Sequence, residues 1–406
     1  MESDISPIDR RRLLRGAAAL GGMSGLAGCA TSGRSAALSG AAAPSAPTIA
    51  LAPIRASEDR LFDITVCLRP FRAAGPRLEA EQVGDALVVH NYGHGGSGWS
   101  LSWGSGTAAV QMAMAASPAE IAVIGCGALG LTSAILAQRA GAKVTIYARD
   151  LISDTRSARA TGSFTPDSRI ALTDKVAPGF PALWEKMARI SFHTYRGYLG
   201  LPGSPVEFTD RYFLEDASLG GGPAIASPHP AALDFASYSD LIRDLTPHAT
   251  LLPPGSTPFP AATVRRSSQL MFNIADYAHT LMTDFLVAGG KFERREFHAP
   301  GELAALPQKV VINCPGYGAR ALWQDESVVP VRGQIAWLIP QPEVNSGVYF
   351  GDMGVLSRRD GIVLQMFDGG DMRGYGDDHE APDPDEAKTS VARVAALYAG
   401  FGKRAG

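Results

Sequence analysis

Cysteine is scarce, and its spacing specifies no framework. Four occur in 406 residues: Cys29, Cys67, Cys126 and Cys314. Cys29 lies in a leader-like stretch, and the other three are far apart and odd in number. Neither a disulfide framework nor a zinc spacing follows, so no metal site is expected. Cys126 falls inside a glycine turn and Cys314 precedes Pro315-Gly316. Both read as small packed residues rather than nucleophiles. A charge excess is missing too. Thirty-seven Lys and Arg stand against 40 Asp and Glu, a formal net charge of −3. No basic stripe follows the first residues, which argues against a nucleic-acid partner. The weakly apolar Ala/Gly/Leu run ending at about Gly28 is too short and too glycine-rich for a comfortable membrane span. No internal repeat is present.

That run belongs to an address. Residues 9–15, DRRRLLR, resemble the twin-arginine export motif through Arg10 and Arg11. Leu26-Ala27-Gly28-Cys29 resembles a lipobox, in which Cys29 would be lipidated and become the new N-terminus. The expectation is a signal over 1–29, a flexible Ala/Ser/Pro linker over 30–57 and a catalytic region over 58–406. The protein would be exported to the periplasm, with Cys29 as a candidate membrane anchor. The alternative is a disordered basic N-terminus.

One stretch, residues 121–150, organises the rest. Residues 121–124, IAVI, read as a buried strand. Gly125, Gly127 and Gly130 follow in a G-x-G-x-x-G pattern. A helix is expected from 129 to about 139, with Gly141 ending it, and 143–147 read as a second parallel strand. Gly125 permits the tight turn, Gly127 lets backbone approach a pyrophosphate, and Gly130 lets helix and strand pack closely. The helix N-terminus offers free N–H groups to an anion. The strand–turn–helix–strand setting turns a weak motif into a dinucleotide-binding one. Gly125, Gly127, Ala128, Leu129 and Gly130 are its cofactor-binding candidates.

Residues 62–70, FDITVCLRP, read as a strand that stops at proline. Residues 86–90, ALVVH, read as another and run into 91–104, NYGHGGSGWSLSWG. The glycines of that run exclude an ordinary packed helix there. Such a loop brings backbone N–H groups close to a bound group. The Ala/Met-rich run 107–116 reads as helical. Arg69 carries a planar fork that can hold a carboxylate with two bonds; the alternative is a surface arginine at a strand end.

Residues 68–70 (LRP), 77–79 (RLE) and 90–104 (HNYGHGGSGWSLSWG) resemble the FAD-dependent D-amino-acid oxidase family. The last run is nearly the family's signature loop. The resemblance extends over nearly everything from 62 to 354. It implies an α/β fold, a Rossmann-type FAD-binding domain joined to a mixed-sheet substrate domain. It implies that Arg69 clamps the substrate carboxylate and that Gly95, Gly96, Ser97, Gly98, Trp99 and Ser100 line the flavin site. His90 and His94 are read as bracing the loop. In the family this block lies near the C-terminus. Here it precedes the dinucleotide motif, so the order looks circularly permuted, with a junction at 115–120. At 147–150, YARD, the family has an acidic residue and then a basic one. Here Arg149 precedes Asp150. Either Asp150 takes the adenosine ribose in a shifted register, or Arg149 faces the adenosine side. In a bare Rossmann fold an arginine there points to NADP.

Residues 154–166, DTRSARATGSFTP, resemble the family segment that wraps the flavin and its phosphates, with Ser157, Thr161 and Gly162 on matching positions. Residues 180–199 read as helical, and the Pro/Gly-punctuated 202–256 is expected in the substrate-side sheet. Residues 273–287 resemble the family helix before a strand at 291–297, whose last residue, Phe297, would contact adenine through its backbone. Residues 310–316, VVINCPG, resemble the strand that returns beside the flavin. For 331–335, VRGQI, a hairpin start and a flavin contact both stand. Tyr349 matches the first of the family's two active-site tyrosines. Met353 stands where the second belongs, so one hydroxyl for the carboxylate is missing. Arg358 or Arg359 are the candidates to compensate. Residues 387–401 read as a terminal helix.

The resemblance therefore implies an FAD-dependent oxidoreductase acting on the C–N bond of a D-amino acid or related amino acid. Hydride would pass to flavin, giving an imino or 2-oxo acid and, with oxygen, hydrogen peroxide. Arg69 and Tyr349 are the catalytic candidates and, with Met353, the substrate-binding ones. Oxygen or another acceptor would be the second partner. The FAD-binding parts are placed at about 62–165 and 290–325, the substrate-side parts at about 166–289 and 326–400. Two alternatives remain: a flavin dehydrogenase of another amine using a non-oxygen acceptor, or a non-catalytic FAD-binding lipoprotein.

Overall fold

The computed structural model describes residues 48–216, 219 and 233–402. The export and lipidation motifs, with Arg10, Arg11 and Cys29, lie outside the described residues, as does part of 202–256. In chain order the elements are β1 (Leu61–Arg72), β2 (Ala80–Val83), β3 (Ala86–His90), α1 (Gly98–Met114), β4 (Glu120–Ile124), α2 (Ala128–Arg139) and β5 (Lys143–Ala148). Then come α3 (Phe180–Tyr195), β6 (Val206–Glu215), β7 (Thr250–Leu251), β8 (Thr263–Phe272), α4 (Ile274–Val287), β9 (Lys291–Arg294), α5 (Gly301–Ala304), β10 (Val310–Asn313) and α6 (Ala319–Leu322). The last are β11 (Val328–Leu338), β12 (Ser346–Phe350), β13 (Met353–Arg358), β14 (Gly361–Met366) and α7 (Pro384–Ala399). No helix among the described residues is long and apolar enough to cross a membrane.

Two sheets carry the fold. The first has the order β2-β3-β10-β4-β5-β9. All of its pairings are parallel except that of β2 with β3. Both faces are covered, as a parallel sheet requires. Ile121 and Val123 of β4 face a core shared with α1, α2 and α4. Ala122 and Ile124 face the opposite core, with Leu303 and Leu322. Strand β10 lies between β3 and β4, with Val311 opposite both Val88 and Ala122. Strands β2 and β3 of the block ahead of the glycine motif are thus built into the dinucleotide sheet.

Helix α1 starts at Gly98, nine residues before the expected 107. The glycines do not break it, because two of them serve helix contacts. A Cβ on Gly104 would overlap the backbone of Met187 in α3, and one on Gly106 would press on Leu136 and Ser133 of α2. Close approach of neighbouring helices outweighs the entropic cost of about 0.5–1 kcal/mol per glycine.

The second sheet is mixed, in the order β1-β11-β14-β13-β12-β6-β8-β7. Helix α7 covers one face through Ala387, Val391, Val394 and Leu397. Strand β1 does not stop at Pro70 but continues to Arg72, with Pro70 opposite Pro330. It is an edge strand, where a missing N–H costs no ladder bond. β1 therefore belongs to the eight-stranded sheet, and its residues Cys67 to Pro70 line the cavity described below. Helix α4 shares one core with α2 and the six-stranded sheet, and that core also takes in Val206, Leu270 and Phe272 of the eight-stranded sheet. The VRGQI segment lies inside the 11-residue strand β11 and starts no hairpin.

A chain beginning at Pro118 would lose β1, β2, β3 and α1, and would expose the edge of β10 and the apolar face of α2. It is expected to be insoluble, measured by its yield in the soluble fraction. A soluble, cooperatively melting fragment would show that the first block is a separate module.

Candidate active site

The C-terminal ends of β3, β10, β4 and β5 point at a cavity of about 950 Å³ whose far wall is the eight-stranded sheet. This is the crevice beyond the strand ends where open α/β sheets bind ligands. At its floor Gly125 takes φ +93°, and a Cβ there would overlap the carbonyl of Cys314. A Cβ on Gly130 would overlap the Gly125 carbonyl, so Gly130 serves helix–strand packing and does not line the cavity. Gly127, Ala128 and Leu129 do line it. The Ala128 N–H donates to Ser157 Oγ at 3.0 Å, so Ser157 closes the start of α2.

Of the glycine loop, Gly95, Gly96, Gly98 and Trp99 face the cavity, whereas Ser97 and Ser100 do not. Those two serines hold the loop to the following segment. Ser97 Oγ donates to the Ser168 carbonyl at 3.1 Å, and the Thr165 N–H donates to Ser100 Oγ at 2.8 Å. His94 Nε2 and Ser105 Oγ are 2.8 Å apart, and Ser105 donates to Asn91 Oδ1 at 2.6 Å. Burial pushes the His94 imidazole down to about 3, so it is neutral. His90 is also buried, with Nδ1 3.0 Å from Asn313 Nδ2. Its Nε2 lies 3.2 Å from Glu81 without the alignment of a hydrogen bond. Burial, then Arg77, holds its imidazole below the usual value, which makes the neutral, bracing reading the better one. Burial also pushes the Cys126 and Cys314 thiols up to about 12, so both are packed rather than reactive.

The rim carries the remaining cofactor candidates. Arg149, Asp150, Ser157, Thr161, Gly162 and Phe297 all line the cavity. Arg149 Nε donates to Asp150 at 2.9 Å, and its Nη1 reaches Glu296 at 3.3 Å. Thr161 Oγ1 donates to Gln365 Oε1 at 2.9 Å, linking the rim to the second sheet. Seven arginines and four carboxylates line the cavity, a balance suited to anionic groups such as a pyrophosphate. His94 Nδ1 is buried at the wall without a partner, and a Cβ on Gly316 would meet no protein atom. The lining fits a bound dinucleotide.

On the far wall, Arg69 projects from β1 across to β11. A Cβ on Gly333 would overlap its guanidinium. The glycine of VRGQI is therefore the gap in which Arg69 lies. Arg69 donates one bond, from Nη1 to the Arg332 carbonyl at 3.3 Å, and forms no ion pair among the described residues. Burial draws its guanidinium below the usual value, Cys67 opposes this, and Arg373 adds to it. Arg169 lines the same cavity. Burial and then Arg69 lower its guanidinium to about 10. It is held by the carbonyls of Asp371 and Gly370 at 2.8 and 3.1 Å.

Tyr349 also faces the cavity. Its ring lies between Phe213, at 5.0 Å and 14°, and Phe367, at 6.2 Å and 13°. It stands in one row with Phe213, Gly354 and Gln365 across four strands. Met353 is not part of this wall. The β12–β13 hairpin pairs Tyr349 with Gly354 and Phe350 with Met353. Strand alternation therefore turns Met353 to the α7 face, where it is buried. Neither proposed substitute reaches the cavity. Arg358 is paired with Asp360 and donates to the Ala160 carbonyl, and Arg359 pairs with Glu207 on the surface. The wall residues missing from the sequence reading are Gly333 as a seat, Gln365, Arg169 and, behind Tyr349, Arg211. Only Gly333 had a signal, in VRGQI.

Gly333→Val fills the seat of Arg69 while meeting chiefly the mobile end of that side chain. The melting temperature is expected to change little. Affinity for a small carboxylate such as benzoate, measured by calorimetry, is expected to fall about tenfold or more, roughly 1.4 kcal/mol. Unchanged affinity would show that Arg69 does not need this seat to bind anions.

Residues 120–405 match the family described as DAO, FAD dependent oxidoreductase. Over 236 residues the chain is 27% identical to a D-amino-acid oxidase of Streptomyces coelicolor, covering 57% of this chain and 63% of that one. Over 220 residues it is 30% identical to a D-amino-acid oxidase of Rubrobacter xylanophilus, covering 53% and 58%. The chain thus spans about three fifths of the length of these relatives. A solved structure of L-amino acid deaminase from Proteus vulgaris, lacking its specific insertion sequence, superposes with a TM-score of 0.45 at 14% identity, over 70% of this chain and 76% of that one. The match over 120–405, well over half of the sequence, places this chain in the FAD-dependent oxidoreductase (DAO) family, whose cofactor is FAD.

Proposed function

We propose that the protein oxidises the C–N bond of a D-amino acid. The carrying observation is Arg69, a half-buried arginine without an ion-pair partner among the described residues, seated over Gly333 on the cavity wall that also holds Tyr349. A planar fork of this kind recognises a carboxylate by two parallel bonds. The balanced reaction removes two electrons and two hydrogens from the amino acid, leaving an imino acid. Water converts that to a 2-oxo acid and ammonia, and dioxygen takes up the electrons and hydrogens as hydrogen peroxide. Bound FAD supplies the two-electron acceptor for the hydrogen that leaves the α-carbon. Gly125, Gly127, Ala128, Gly95, Gly96, Gly98 and Trp99 would hold it, with Ser157, Thr161, Gly162 and Phe297 at the rim. The chain's own task is positioning. Arg69 fixes the carboxylate, and Tyr349 adds a hydroxyl from a ring held between two phenylalanines. No protein acid or base is needed when the amine enters neutral. In this reading the block 62–104 is the family's C-terminal part moved ahead of the dinucleotide motif. The family match beginning at 120, with β3 and α1 lying before it, supports that order.

The reading extends to the address: export by the twin-arginine route, with Cys29 lipidated at the periplasmic membrane. Lysine at both Arg10 and Arg11 is expected to trap the precursor in the cytoplasm, and replacement of Cys29 to release a soluble periplasmic form. Unchanged fractionation of both variants would refute it.

The substrate assignment is tested at Arg69. Each charge-assisted bond is worth about 1.5–3 kcal/mol. Arg69→Ala is therefore expected to lower kcat/KM by roughly two or more powers of ten. Arg69→Lys keeps the charge and loses the fork, and is expected to fall between. Both should retain FAD, because Arg69 lies on the opposite wall from the glycine turn. Anaerobic flavin reduction by D-amino acids is the assay. Wild-type rates with the same substrate dependence in Arg69→Ala would remove the assignment.

A further inference from the structure

Behind Tyr349 lies a second arginine that nothing above employs. Arg211 sits on β6 and is 1% exposed. It forms no ion pair among the described residues. Its Nη1 donates to Ser163 Oγ at 3.0 Å and lies 3.4 Å from Tyr349 Oη. Nε and Nη2 are buried without a partner. The side chain passes Gly347 on the adjoining strand, where an added Cβ would touch its Cγ at 3.5 Å. A guanidinium buried without a carboxylate is costly, and a fold keeps one where an anion is to be met.

We propose that Arg211 is a positioning residue for carboxylate recognition, acting through the Tyr349 hydroxyl. A guanidinium has donors only. Facing Arg211, the phenol oxygen can only accept, so the phenol hydrogen must be donated elsewhere. The ring is fixed between Phe213 and Phe367, which leaves the cavity as the direction for that hydrogen. Ser163, on the cavity lining, is held by the same Nη1. The buried positive charge also favours an anion at the wall in front of Tyr349. One charged residue on Tyr349's own face of the sheet thus supplies the support that Met353, turned towards α7, does not give. The inference rests on the reading that Tyr349 faces a substrate carboxylate.

The test is a double-mutant cycle in the FAD-loaded protein, with benzoate and benzamide as probes and calorimetry as the readout. Tyr349→Phe and Arg211→Met are each expected to weaken benzoate about tenfold, with benzamide affected less than about twofold. The double variant is expected to bind benzoate no more weakly than either single one. Losses that multiply, to about a hundredfold, would overturn the proposal. So would equal losses for benzamide, or an unchanged benzoate affinity in Arg211→Met. Should Arg211→Met fail to fold, Arg211→Lys takes its place. It is expected to weaken benzoate by about threefold in the wild-type background and not in Tyr349→Phe. Equal weakening in both backgrounds would overturn the proposal. Anaerobic flavin reduction of the wild type by D-amino acids separates the two levels. If it succeeds while the cycle shows no coupling, the activity stands and only the role of Arg211 falls.

Discussion

Strand β10 is paired on both sides, with β3 from the first block of the chain and with β4 from the glycine motif. Everything at the site depends on this junction. It sets the loop after His90 beside the turn at Gly125, and it lets α1 pack along α2. Contact at that distance is possible only because side chains are missing at the crossing points. Gly104 meets the backbone of α3, Gly106 meets α2, and Gly125 meets the Cys314 carbonyl. Changes in this seam would act on the shape of the cavity before they touched any chemistry.

The opposite wall works by charge. Arg211 is buried and Arg69 half-buried, neither has a carboxylate partner among the described residues, and each runs beside a glycine of an adjoining strand. Arg169 adds a third guanidinium to this wall, partly offset by Asp371. Interior charges without counterions are expensive in a folded protein. In the proposed function their cost is offset when an anion enters, which would couple affinity to the two arginines and favour a carboxylate over neutral isosteres. The stacked rings of Phe213, Tyr349 and Phe367 stiffen the wall between them.

The dinucleotide half was legible because its signals are local. IAVIGCGALG gives a strand, a turn and a helix in ten residues, and the structure places β4 and α2 within a residue of the expected bounds. The start of α1 was not legible. Glycines read as breakers are there contact points, and only the neighbouring helices show it. Pro70 misled in the same way, since its place on an edge strand is a property of the sheet. Met353 was misplaced because spacing along the chain ignores the hairpin turn at Gly351-Asp352, which reverses the face of the next strand. Arg211 had no sequence signal, being an arginine in a strand of otherwise mixed pattern. Its environment comes from residues 48 positions before it and 138 after.

The central claim is that this cavity selects its substrate by the carboxylate. The direct measurement compares anaerobic reduction of the bound flavin by a D-amino acid with that by the amine of the same side chain lacking the carboxyl group. The amino acid is expected to bleach the flavin absorbance at least about a hundredfold faster, the two bonds to Arg69 accounting for the difference. Equal rates for the two compounds would contradict the carboxylate clamp and the function built on it.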